Sequence, residues 1–147
     1  MEYNNVVKDF AHRTRRNLEI IEQQKEAGNE AFEVTQLINS CLGLLVLPQQ
    51  RFMHSIPKIP ISELEQNGWV IPEVTGSFPQ VRNLNELIRY LRNAIAHFNI
   101  EFLSNDENDI QSIIVWNVNR GEKTWQATLG LEELKSILNK FSDLLEK

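Results

Sequence analysis

The 147 residues include one cysteine, three histidines and five prolines. With Cys41 alone no internal disulfide can form, and no Cys/His cluster has the spacing of a zinc site. His12, His54 and His97 stand too far apart in sequence to argue for a shared metal, so no cofactor is expected. Long apolar runs are missing as well. The most hydrophobic stretch, Leu37 to Leu47, contains Asn39 and Ser40 and is too short to cross a bilayer. Met1 is followed by Glu2, Asn4 and Asn5 without an apolar signal core, so a cytoplasmic protein with no membrane association is expected. Positive charge is scarce: 15 Lys and Arg against 20 Asp and Glu leave a net charge of −5. That balance argues against a general nucleic-acid coat or a basic membrane-surface binder, while leaving room for a local basic patch. There is also no phosphate-cradling glycine loop, serine-nucleophile elbow, H-E-x-x-H or paired-carboxylate motif.

What is present suffices for one domain over 1–147. The chain is 41% hydrophobic and 24% charged, so it can bury a core and stay soluble. A first helix is predicted from about Tyr3 to Ala27, with Val7, Phe10, Leu18 and Ile21 near one face, stopped by Gly28-Asn29. Asn29 is a candidate cap for a second, largely apolar helix from Glu30 to Leu47, which Pro48 should end. From 48 to 80 the chain holds all five prolines and little periodicity. A short helix is expected near Ile61 to Asn67, where Ser62 to Glu65 has the form of a capping box. A loop of that length is usually functional or mobile, and the plainer reading is an ordered cover in which Phe52, Ile56, Trp69 and Ile71 lie on the core. A third helix should run from Asn83, with Glu86 completing a capping box, to His97 or Phe98. Residues 99–129 alternate β-branched and aromatic side chains around turns at 104–109 and 119–122, the pattern of a small antiparallel hairpin or meander. Leu131 to Leu145 closes the chain as an amphipathic helix. The expected fold is mainly α: a helical bundle with a small β-insert before the last helix.

The third helix carries the chemistry. With Leu84 at zero and about 100° per residue, Leu84, Leu87, Ile88, Leu91 and Ile95 fall within about 60° of zero and form the core face. Arg89, Asn93 and His97 then lie near 140°, 180° and 220° on the same scale, and Arg92 near 80° at the flank. A polar outer face is what any solvated helix shows, and a histidine near a helix C-terminus also answers the macrodipole. This face, however, is poor in Glu and Lys. Between Val81 and Asn99, Arg82, Arg89 and Arg92 face only Glu86, so an acidic protein carries a locally basic segment.

Arg92-Asn93-Ala94-Ile95-Ala96-His97 resembles the R-N-x-x-x-H signature of the HEPN superfamily, the higher-eukaryote and prokaryote nucleotide-binding helical domains. The setting is similar too: a late helix, after a long central one and before a C-terminal one. The chain looks like a compact stand-alone HEPN protein of the plasmid, toxin or defence-associated kind. The resemblance implies a metal-independent endoribonuclease whose motif meets a second copy across a two-fold axis, so RNA and a homodimer partner are expected, with an antitoxin or partner protein as a further candidate. In that reading His97 is general base or acid, Arg92 binds the scissile phosphate, and Asn93 orients imidazole or phosphate. Arg89 is a candidate for RNA or partner contact. In toxins silenced by nucleotide transfer, a tyrosine sits two residues after the motif histidine; here that position is Asn99, so such regulation is not expected. The rival reading is a catalytically silent HEPN-fold module that binds a partner protein or nucleotide.

Other candidates have plainer readings. His12-Arg13-Thr14-Arg15-Arg16 is the one basic run and reads first as a solvated helix face. His54 beside Arg51 is a lone loop histidine, and Cys41 a packing residue. Trp69, Trp116 and Trp125 could stack bases but are expected in the core.

Overall fold

The first helix, α1 (Val6–Glu26), opens the described part of the computed structural model, which covers residues 5–146. Tyr3, the expected start, lies outside the described residues. Ala11 and Leu18 are the buried side chains of α1, and Gly28 stops it in the left-handed region (φ 83°) that a glycine adopts without a Cβ penalty. Asn29 does not cap the next helix. Its Nδ2 donates back to Gln24 Oε1 at 2.7 Å, and α2 (Glu33–Cys41) begins after Phe32 without a side-chain cap.

Pro48 does not end the central helix either. After α2 the chain passes through a π-helical segment (Leu42–Val46) and continues as α3 (Leu47–Phe52), with Pro48 in its first turn. A proline removes one backbone donor and crowds the carbonyl four residues before it. The wider π turn just upstream relieves that crowding, so the helix goes on. At Gly43 in this segment an added Cβ would stand 2.4 Å from Thr14 Oγ1 and 3.0 Å from the Phe10 ring. The absent side chain lets α1 approach closely.

The region 48–80 is an ordered cover rather than an irregular loop. Ile56 and Leu64 are buried, and Phe52, Trp69 and Ile71 pack against the core. Within it, α4 (Ile61–Gln66) starts after Pro60 with no side-chain cap, so Ser62 lies inside the helix and the expected capping box does not form. Beyond it, β1 (Glu73–Val74), which the sequence did not signal, pairs with a strand near the C-terminus. Next comes α5 (Leu84–Ala96). Asn83 Oδ1 accepts the Glu86 N–H at 3.0 Å, but the Glu86 carboxylate turns instead to Arg82 Nε at 2.9 Å.

The expected mainly α bundle is corrected. The described residues are 54% helical and 20% strand, a mixed α/β architecture. Strands β2 (Ile100–Ser104), β3 (Ile110–Asn119) and β4 (Glu122–Gly130) form a meander, and β1 extends it to a four-stranded antiparallel sheet in the order β1-β4-β3-β2. The meander itself follows the alternating pattern. Its weight in the fold was underestimated, because alternate residues Ile113 and Val115 of β3 and Trp125, Ala127 and Leu129 of β4 are fully buried. They form one wall of the core, against α5 and α6 (Leu131–Leu145). The β3–β4 hairpin turns through Arg120 (φ 52°) and Gly121 (φ 81°), a two-residue loop whose twist matches the strands. Leu44 and Leu45 of the π segment, Leu87, Ile88 and Leu91 of α5, and Leu134, Leu138 and Phe141 of α6 fill the centre.

Candidate functional site

Core demand orients α5. Leu84, Leu87, Ile88, Leu91, Ala94 and Ile95 are buried, which turns Arg89, Asn93 and His97 outward. These three line one groove, of about 450 Å³, closed on its far side by Asn117, Val118 and Asn119 of β3 and Thr124 of β4. The His97 side chain is exposed at the helix end. The groove therefore lies between a helix face and the end of a hairpin, and the sheet supplies half of it.

Arg92 takes a different side. Its Nη1 donates to Asn93 Oδ1 at 3.0 Å, and its Nη2 reaches Gln50 Oε1 of α3 at 3.1 Å. Its Nε is buried without a hydrogen-bond partner among the described residues. The motif arginine is thus tied to the motif asparagine, yet it faces α3 rather than the groove floor. Two neutral amide oxygens hold the guanidinium without cancelling its charge. Arg82 pairs with Glu86, and no carboxylate lies within ion-pair distance of Arg89 or Arg92 among the described residues. Two guanidinium groups without acidic partners, on adjoining sides of one helix, suit an anion, above all a phosphate that can accept paired hydrogen bonds.

Arg89 is placed from below by aromatic side chains. Its guanidinium carbon lies 5.4 Å from the Tyr90 ring centre, and Tyr90 in turn packs on the core Trp125 at 5.4 Å with the planes 57° apart. Such a cation over a ring face keeps its charge while losing freedom.

The helix ends in a strained turn. The Phe98 N–H donates to Ile95 O at 3.0 Å and the Asn99 N–H to Ala94 O at 2.8 Å, the paired bonds of a Schellman motif. The left-handed residue in that motif is usually glycine. Here it is Phe98, at φ 53° and 63% exposed, where a Cβ costs about 1–2 kcal/mol. The turn brings Asn99 back into the groove, and its carbonyl accepts the Trp116 N–H at 3.2 Å.

Sequence reasoning missed Tyr90, Asn99, Asn117, Asn119 and Gln50. For Asn117 there was a signal: it follows Ile113 and Val115 in strict alternation, so a polar residue occupies a core-facing strand position. It is only 8% exposed, and its Oδ1 is buried with no donor among the described residues. An acceptor left in that state costs about 1–3 kcal/mol. A register shift between Asn117 and Val118 marks a bulge at the same point, a device that re-aims side chains beside functional sites.

The remaining candidates settle into packing or solvated surface. Arg13, Arg15 and Arg16 pair with Asp9, Asp143 and Glu19, so the basic run is a neutralised helix face. His54 is exposed in the turn after α3 and does not line the groove. Trp125 is core and Trp69 packs against it, while Trp116 is half-exposed beneath Lys123, whose Nζ is 4.8 Å from the ring centre. No group of three or more His, Cys, Asp or Glu side chains gathers to hold a metal ion among the described residues, and no helix there is long and apolar enough to cross a membrane.

Together, a late helix bearing Arg92-Asn93-x-x-x-His97 on its outer face and a C-terminal helix packed behind it define a HEPN-type protein. A family model described as HEPN pEK499 p136 matches residues 1–147, and the chain belongs to that family. Comparison with curated proteins and with solved structures yields no match.

Proposed function

We propose that this protein is a metal-independent endoribonuclease, acting in the cytoplasm as a toxin or defence effector. The carrying observation is the outer face of α5: Asn93 and His97 open into one groove, Arg92 is bonded to Asn93, and the two arginines lack acidic partners. In the reaction a ribose 2′-oxygen attacks the adjacent phosphorus and the bond to the 5′-oxygen breaks. The products are a 2′,3′-cyclic phosphate and a 5′-hydroxyl. One proton must leave the 2′-hydroxyl and one must reach the 5′-oxygen, and an exposed imidazole can do either. Arg92 offers its guanidinium to the charge that grows on the phosphate oxygens. Asn93 spans the two, holding Arg92 by its carbonyl oxygen and standing one helical turn before His97. A second copy placed across a two-fold axis supplies a second histidine, so that each proton has its own carrier. An antitoxin or other partner protein that covers this face would silence it.

The test is cleavage of a mixed RNA pool in EDTA, wild type against His97→Ala, with analysis of the new ends. Wild type should leave cyclic phosphates, and the variant should lose about 10²–10⁴-fold in rate, the usual worth of a positioned acid or base. A folded wild-type protein that leaves the pool intact would instead mark a HEPN module that binds a partner or nucleotide without cutting.

A further inference from the structure

We infer that the groove between α5 and the β3–β4 hairpin is a nucleobase pocket, and that Asn117 reads the base next to the scissile phosphate. The inference rests on the reading of this face as an RNA site and adds to it the residue that distinguishes a base from bare sugar-phosphate.

Three independent observations meet here. The first is size: about 450 Å³ lies within the range of small-molecule pockets, and His97 lines its rim. The second is the state of Asn117. This amide is more than nine-tenths buried in the groove wall, and its Oδ1 has no protein donor among the described residues. A buried polar group is normally satisfied. Here the oxygen is sealed from solvent, as is the unpartnered Nε1 of its cross-strand partner Trp125, so a ligand engages it by turning the amide toward the groove that Asn117 lines. The third is position: the strand bulges immediately after Asn117, and Asn117 sits at a register position that β3 otherwise fills with Ile113 and Val115.

The chemistry of the wall selects the ligand. An amide presents an acceptor beside a donor, and every nucleobase has an edge on which an N–H stands beside an acceptor. Phosphate offers acceptors only, and the ribose hydroxyls, though they donate and accept, do not present them on a flat edge. Asn93 and Asn99 add further amides, and Tyr90 contributes an aromatic side to the same groove, the combination by which proteins take an unstacked base from single-stranded RNA. The phosphate 3′ to that base then falls toward His97 and the Arg89 guanidinium, which line the same groove.

Binding of small probes tests this without cleavage. The full chain is titrated with each of the four ribonucleoside 3′-monophosphates and with ribose phosphate, following amide chemical shifts. At least one nucleotide should bind about tenfold or more tightly than ribose phosphate, and Asn117→Leu should close that gap while ribose phosphate binding holds. Leucine also removes the orphaned amide, so this variant should unfold at higher urea concentration than wild type. Should Asn117→Leu not fold, Asn117→Ser removes the same amide with a smaller side chain and carries the same expectation for binding. Equal binding of nucleotides and ribose phosphate, no binding of either, or an unchanged gap in the variants overturns the inference. A base-dependent gap in a protein that cuts no RNA would sink the ribonuclease and leave the pocket standing, whereas cleavage with no gap would sink the pocket alone.

Discussion

Cys41 has no exposed surface where α2 meets the π-helical segment, and its Sγ donates to Leu37 O at 3.4 Å. Burial pushes the thiol up to about 12 from its usual 9.0, because a thiolate there would lose its water with nothing to replace it. The folded chain therefore holds this proton more tightly than the unfolded one, and stability falls as pH rises from 9.0 toward about 12. Each pH unit in that window removes about 1.4 kcal/mol for this one group. Urea unfolding from pH 7 to 11 should show wild type losing its lead over Cys41→Ala above pH 9. Parallel curves would mean that the thiol is not sealed from water. The same logic makes Cys41 unreactive at neutral pH, as a packing residue should be. At the site the residue-scale features point the other way: Phe98 in a strained turn, Asn117 without a donor, and Arg89 and Arg92 without acids are costs that the core does not require.

The elements are joined by one unusual device. The π-helical segment lets a proline-bearing helix continue, and its Gly43 is where α1 crosses it. A methyl group at 43 must displace Thr14 Oγ1 and press on the Phe10 ring, so Gly43→Ala should cost about 1–3 kcal/mol, the range for overpacking. Adding Thr14→Ala removes the nearer obstacle and should recover part of that loss. Chemical denaturation of both singles and the double measures it as a coupling energy. Purely additive effects would mean that α1 does not rest on Gly43. Across the contact between α1 and α6, Lys135 of α6 bonds Glu22 of α1, a partner that raises the lysine above its usual value. The sheet does as much as the helices, since α5 is held to its angle by β3 beneath it and by α3 at its side, through Gln50 and Arg92.

For the whole molecule, the acidic net charge and the basic helix face pull against each other. On the proposed function, RNA approaching a −5 protein would be repelled at long range and drawn locally to α5. If Arg89 and Arg92 are the cations that meet phosphate, two contacts at about −0.7 each predict a log–log salt slope near −1.4 per site. Measured by titration of a single-stranded RNA between low and moderate salt, the slope should fall by about half in Arg92→Ala. A slope several times steeper would place the RNA along another surface, with the α1 arginines the first to examine.

Much of this architecture is local chemistry and was legible in residues alone. Periodicity on α5 separates Leu84, Leu87, Ile88, Leu91 and Ile95 from Arg89, Asn93 and His97, and the structure buries the first set, exposes Arg89 and His97 and leaves Asn93 half-buried. The R-N-x-x-x-H spacing led to the family that the whole chain matches. Alternation marked the meander, and Gly28 and Gly121 marked turns whose positive φ few other residues accept. What failed, or could not be read, depends on partners distant in sequence. Pro48 stops a helix by local rules, yet a π turn packed on α1 carries the chain past it. Val74 becomes a strand because Ala127 lies opposite it, across 52 intervening residues. The sheet's share of the core follows from which face α5 and α6 cover, and this made the fold mixed rather than mainly α. The groove is of the same kind: Asn93 and His97 come from one helix, but Asn99, Asn117 and Thr124 join them only because a strained turn and a bulged strand fold back over it. A side chain's face is written in its own segment, whereas what stands across from it is decided by tertiary packing.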